Sequence, residues 1–317
     1  MNNRQQRQTE NASAEIFKYD ADNGVSEYHV MIHARCPEDT YEQQLNAVVN
    51  AYFALLEGEI RGAVAVFKRY FLSDAANQSD SCWRFHRELD CAFSIVEQPP
   101  LNGTKIALWV YLQSGVQTRV LHNGLFEVRH GAYRHLWSGN AFNRAANSEY
   151  QTRLLLNDYV MQLMEQGCKL ADNCIRTWFF VQNVDVNYAG VVKARNEVFI
   201  TQNLTEKTHY ISSTGIGGRH ADPKVSVLMD TYAVDGIKSG QVHFLYAPAY
   251  LNPTYEYGVS FERGTYVTTA IAAKSSFPVR QASTTRAKWC IQATSASRPN
   301  GCGKRGGPLE GSGLYVR

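Results

Sequence analysis

No apolar run in these 317 residues approaches the roughly 18 needed to span a bilayer, which excludes a spanning helix. The opening stretch, Met1 to Glu15, is polar and lacks the apolar core of a secretory signal, so a cytoplasmic location is expected. The seven cysteines include no CxxC pair. Cys168 and Cys174 lack the spacing of a zinc knuckle, and no histidine pair completes one. The expectation is therefore reduced, buried thiols and no metal. No GxGxxG is present, which argues against a dinucleotide cofactor. No Ser/His/Asp or Cys/His set stands out as a nucleophilic centre. No cofactor of any kind is expected.

Acidic residues are absent from Lys288 to Gly307, and this absence distorts the overall charge of +3. Residues 268–317 hold eight Lys/Arg and only Glu310 on the acidic side, a local charge of +7. The other 267 residues carry 24 bases and 28 acids, a net charge of −4. A mildly acidic body is a poor nucleic-acid partner, since such partners need a basic face.

What is present is a repeated order of elements. Asp39 to Leu56 reads as an amphipathic helix, with Leu45, Val48, Val49, Tyr52, Leu55 and Leu56 at helical spacing. Thr40 and Gln43 can form a capping box, and Gly58 closes the helix. Gly62 to Leu72 reads as a strand rich in β-branched and aromatic residues. A second helix over Asn77 to Leu89 and strands at Ala92 to Val96 and Lys105 to Leu112 follow. The order then recurs. Ser148 with Gln151 suggests a capping box for a helix whose stripe is Leu155, Leu156, Tyr159, Val160, Leu163 and Met164, ending at Gly167. Cys174 to Val181 is the matching strand and Tyr188 to Gln202 the matching second helix. Strands at Val225 to Val234 and Gln241 to Tyr246 complete the copy. Lys68-Arg-Tyr-Phe71 aligns with Arg176-Thr-Trp-Phe179 at an offset of 108. That period is too long for a solenoid and points to a duplicated small α+β unit.

The tail has two readings. Twenty-four of residues 268–317 are Ala, Ser, Thr or Gly, the composition of a disordered segment. Its codons, read with the last base of each joined to the first two of the next, instead admit a strand, a turn and an amphipathic helix, the order of a further unit. On this second reading, which is favoured, the frame shifts near Val267 and slips again near Lys304. The chain as it stands would then lack activity.

The strand Cys174 to Val181, the helix Arg195 to Phe199, Val66 to Asp74 and Gln98 to Thr104, taken in order, resemble the YjgF/RidA superfamily over roughly residues 15–267. Ser213 to Gly218 and Asn252 to Arg263 look like its chorismatase-type branch. The resemblance implies an α+β fold of tandem RidA-like (chorismate mutase-like) units, each a mixed sheet with two helices on one face. The implied boundaries are a disordered 1–14, a first unit 15–125, a second 126–247, the start of a third at 248–267, and an irregular, out-of-frame 268–317. The implied function is cofactor-independent hydrolysis of an enol ether or an imine of a small carboxylated metabolite. The assembly would be a monomeric pseudo-trimer or a homo-oligomer. The arginine with which imine deaminases hold their substrate is missing: Pro99-Pro-Leu101 and Ser212-Ser-Thr214 stand at its place. That absence favours two alternatives, a non-catalytic metabolite-binding or regulatory protein, or a protein directed at RNA as a translation inhibitor or endoribonuclease. The acidic body weighs against the latter.

Candidate residues follow, each with a structural alternative. Thr214, Gly215, Ile216 and Gly217 read as a Gly-rich turn whose amides could hold a carboxylate, or as a tight loop. Arg176, mid-strand among apolar residues, could clamp an anion or face solvent from an edge strand. Arg195 has the same ambiguity on its helix, with a surface ion pair as its alternative. Tyr255, Glu256, Tyr257 and Arg263 form a polar-aromatic cluster, with Glu256 a candidate general acid beside Tyr257, or else a loop packed on the sheet. Resequencing the coding DNA tests the frame reading. It predicts a corrected frame after Val267; a clean read of the tail as it stands, with close relatives ending alike, would refute it.

Overall fold

The computed structural model describes residues 3–21, 24–85, 91–246, 254, 258–268 and 315–316. Two units with the same order of elements account for most of them. The first comprises β1 (Asn3–Gln8), β2 (Ala12–Asp20), β3 (Ser26–Ala34), α1 (Tyr41–Glu57), β4 (Val64–Leu72), α2 (Ala75–Phe85), β5 (Ala92–Glu97) and β6 (Ile106–Ser114). The second comprises β7 (Gln117–Val120), β8 (Phe126–His130), β9 (Tyr133–Ala141), α3 (Ser148–Glu165), a short α4 (Leu170–Asn173), β10 (Cys174–Val181), α5 (Val184–Thr201), β11 (Ser212–Gly217) and β12 (Val227–Asp235). Their sheets run β1-β2-β3-β6-β4-β5 and β7-β8-β9-β12-β10-β11, the same topology twice. The edge pairs β4/β5 and β10/β11 are parallel, joined through a helix as parallel strands require. The fold is thus tandem mixed sheets with helices on one face, as expected.

Several boundaries differ from the sequence reading. Residues 3–8, placed within a disordered segment, form β1 against β2. The second unit starts at β7, ahead of residue 126. Its helix α3 is capped by Asn147, whose side chain accepts from the Tyr150 amide, rather than by Ser148. Gln151 instead accepts from the Ser226 and Val227 amides and donates to Ala145 and Lys224 carbonyls, stitching α3 to the start of β12. Met164 leaves the stripe and is exposed. The capping box at Thr40 and the closure at Gly58 are as read. The strand β13 (Val242–Tyr246) belongs to neither six-stranded sheet. It pairs with β14 (Gly264–Val267) and β15 (Tyr315–Val316). Residues 269–314, on which the frame reading of the tail bears, lie outside the described residues.

The repeat offset is 109, not 108. The strand ends Leu72 and Val181 differ by 109, and the bulged positions Phe67 and Arg176 do too. One residue of slip exchanges the faces of a strand. Lys68 therefore corresponds to Thr177, and both face helices: Lys68 lies 4.9 Å over the Tyr52 ring of α1, and Thr177 donates to Ser213 at 2.9 Å. Arg69 corresponds to Trp178, and both face the neighbouring sheet. The cationic-aromatic composition of the two strands matched in the wrong pleat.

The units meet along a seam between those outer faces. Asp230 of β12, fully buried, accepts from Arg69 Nε at 3.1 Å and Nη2 at 2.7 Å. Its other oxygen accepts from the Asn140 amide at 2.8 Å, and the Asn140 side chain accepts from the Ile95 amide. The Arg69 guanidinium lies 4.9 to 5.3 Å from the rings of Phe67, Trp109, Trp178 and Phe180. A Cβ on Gly139 would sit 2.3 Å from the Phe93 carbonyl, so only glycine permits β9 to approach β5 this closely. No helix among the described residues is long and apolar enough to cross a membrane.

Breaking the buried pair from one side leaves an uncompensated charge. Asp230→Ala is expected to cost about 3–5 kcal/mol in urea unfolding. The double replacement Arg69→Met with Asp230→Leu is expected to cost less than either single one. A single variant that unfolds like the wild type would refute the seam assignment.

Candidate functional site

Strand alternation divides the expected site residues between the two faces of β10 and β11. Arg176, Trp178, Thr214 and Ile216 face the seam. Thr177, Ser213 and Gly215 face the helices. The Gly-rich stretch is not a turn: residues 212–217 form β11, in parallel register with Arg176 to Val181. Its amides are those of a strand, so they do not form an open anion nest. Gly218 follows and donates its amide to the Val181 carbonyl.

On the seam side, Arg176 is 8% exposed and donates through Nη2 to the Thr214 hydroxyl, which is 6% exposed. Its guanidinium lies 5.3 Å over Trp178. The Arg69 guanidinium lies 5.2 Å from the same ring. Arg69 is held by the Asp230 carboxylate, and Arg176 donates to the Thr214 hydroxyl. Trp178 stacks at 6.5 Å on Trp137, which stacks at 4.2 Å on Tyr232. His135 lies against Tyr232 and shares a 2.8 Å hydrogen bond with its hydroxyl. The edge-strand alternative for Arg176 does not hold, because β10 sits between β11 and β12 and the side chain is buried.

On the helix side, Arg195 of α5 is 1% exposed. The surface ion pair offered as its alternative is excluded by that burial. Its guanidinium lies 5.6 Å from the Phe261 ring, and that of Arg263 lies 5.3 Å from the same ring. The Tyr188 ring covers Gly215. The segment carrying Phe261 is laid along the free edge of β11. Glu262 donates its amide to the Ile211 carbonyl and accepts from the Tyr210 amide, while Thr265 and Ser212 share a 2.6 Å hydroxyl contact. Asn196, next to Arg195, donates to the Gly258 carbonyl at 3.2 Å. Arg195, Arg263 and Gly215 therefore share one neighbourhood, and Arg176 and Thr214 another. Ile216 packs toward the seam with Phe180. Gly217 is exposed and its carbonyl accepts from Gln98 of the first unit. Tyr255, Glu256 and Tyr257 lie outside the described residues.

Sequence reasoning passed over Trp109, Trp178, Asp230 and Phe261. A carboxylate inside the apolar run Val227 to Val234 is a readable signal for Asp230, because a buried acid requires a partner. No group of three metal-ligating side chains occurs among the described residues.

No family model matches the chain, and no curated protein does. Solved structures do. A chorismatase matches at 15% identity over 65% of this chain, with a TM-score of 0.45. The match spans 60% of that chorismatase's own length. The YjgF gene product of E. coli matches at 19% identity over 34% of this chain and 85% of its own, with a TM-score of 0.29. E. coli TdcF, solved with bound serine, matches at 18% over 34% and 84%, also at 0.29.

The described thiols suit packing rather than chemistry. Burial pushes Cys82 up to about 12, Cys174 to about 12 and Cys168 to about 11. A raised thiol pKa means little thiolate at pH 8. Iodoacetamide at that pH, followed by peptide mapping, is expected to leave Cys82, Cys168 and Cys174 unlabelled until denaturant is added. Rapid native labelling of Cys174 would contradict this packing.

Proposed function

We propose that the chain binds a small carboxylated metabolite at the seam and that its chemistry is hydrolysis of an enol ether or an imine. The observation that supports this is Arg176, a buried guanidinium facing a second unit and held by a threonine hydroxyl. A guanidinium is the side chain best matched to a carboxylate. The aromatic wall of Trp178, Trp137 and Tyr232 excludes water and suits a planar substrate body. In this reading Arg176 and Thr214 orient the carboxylate. Glu256 supplies the proton to the enol or imine, Tyr257 assists it, and water adds at the resulting cation before the C–O or C–N bond breaks. No cofactor enters that balance. The assembly proposed is the pseudo-trimer or homo-oligomer implied by the resemblance.

A second reading, binding without catalysis, draws on Asp230. This buried carboxylate of the seam is committed to Arg69 and Asn140, so it is not a spare general acid.

Calorimetry with chorismate and with 2-imino acids, alongside assays of pyruvate and ammonia release, separates the readings. The comparison covers the chain as it stands and a frame-corrected chain. Binding with turnover in the corrected chain is expected. Arg176→Gln is expected to weaken binding by about 10- to 100-fold, the loss of one charge-assisted contact. Binding without turnover in both chains favours the second reading. Inertness and no binding toward either ligand class refutes the seam site.

A further inference from the structure

We propose that Arg195 is the receptor of a second anion site, distinct from the seam, shaped to take one small carboxylate side-on. Arg195 points from α5 into the layer between that helix and β11 and is 1% exposed. Among the described residues, neither its Nε nor its Nη2 meets a hydrogen-bond partner. These two N–H groups form the same edge of the guanidinium, parallel and spaced to meet the two oxygens of one carboxylate. The molecule uses that same edge on a carboxylate elsewhere: Arg69 Nε and Nη2 both donate to Oδ2 of Asp230. Arg195 therefore presents the geometry of a carboxylate clamp without a carboxylate of the chain among its described neighbours.

The surroundings define what fits. Burial penalises the charge of Arg195 and lowers its pKa, while the nearby Tyr188 hydroxyl opposes that fall. An arginine nonetheless stays protonated in proteins, so the charge calls for an anion. Gly215 keeps the Tyr188 ring against the strand, since a Cβ there would come within 2.5 Å of the ring. Phe261 forms the opposite wall, with Arg263 on the same ring adding positive charge. Two aligned donors and an aromatic wall match a carboxylate carrying a short apolar group. Phosphate would bring four oxygens to two donors and leave part of its charge unmatched. The near-complete burial limits the ligand to a few heavy atoms, or requires Phe261 and its flanking residues to lift. Those residues are held by the Asn196 contact to Gly258 and by the Thr254 hydroxyl on the Phe261 carbonyl at 2.7 Å.

The two sites lie on opposite faces of β11, so either can fail alone. The test uses the full chain, acetate as probe, and inorganic phosphate at matched ionic strength. It reads the arginine Nε–Hε resonances by NMR and the affinity by calorimetry. Acetate is expected to shift, saturably, the one resonance that Arg195→Lys removes. Arg195→Lys, which keeps charge and loses the fork, is expected to bind acetate about tenfold more weakly. Arg176→Gln is expected to leave the response unchanged. The proposal is overturned if the Arg195 resonance ignores acetate, if phosphate moves it equally, or if Arg195→Gln binds acetate as the wild type does. Should Arg195→Gln fail to fold, the wild-type resonance still decides.

Discussion

One carboxylate fastens this molecule together. Asp230 receives Arg69 from 161 residues earlier in the chain and the Asn140 amide from its own unit. Through Asn140 it also reaches the backbone of β5. Strands β4, β5, β9 and β12 thus converge on one ionised group with no exposure of its own. A buried charge tolerates no half-made version of this arrangement. The first unit holds only the cation and the second only the anion, so each leaves an unmatched charge until the seam forms. The ring of aromatic side chains around Arg69 keeps water from offering a substitute.

The seam also explains why β11 carries two chemistries. A strand inside a covered sheet shows different neighbours on its two faces, and here those neighbours differ in kind. One face looks across to another unit's aromatic wall, where a guanidinium rests on a hydroxyl. The other looks into a helix layer, where a guanidinium lies near a tyrosine and a phenylalanine. The same few residues, Ser212 to Gly217, line both. Gly215 has a steric task on one side, and Thr214 a polar one on the other.

Much of the fold was legible because local signals agreed with the global one. The helix α1 carries both its apolar stripe and its capping box, and β10 is an apolar run broken only by Arg176 and Thr177. Other parts were illegible for identifiable reasons. Strands β1 and β7 are polar edge strands with no buried face to impose alternation. The start of α5 at Val184 is set by Asn183 in the left-handed region, without a side-chain cap that a sequence could display. The alternation of Tyr28, Val30, Ile32 and Ala34 in β3 is readable, yet its histidine and glutamate partners weaken the pattern. For the candidate site, residue types were legible and faces were not. Arg176 and Arg195 were both recognisable as candidate cations, but their burial was not: a solvent-facing edge stood as the alternative for one and a surface ion pair for the other. Their separation depends on the parity of a strand, and parity shifted with a one-residue error in the repeat.

The junctions have a direction. The parallel edge strand β5 of the first unit meets β9 of the second. The parallel edge strand β11 of the second unit is met in turn by the stretch leading into β14. Each unit offers one surface forward and accepts a different one from behind, which is the grammar of a head-to-tail, heterologous contact. Such contacts have two geometric destinies. Either the rotation between units closes a ring, or the series continues without end. A tandem chain built this way carries its polarity in its covalent order.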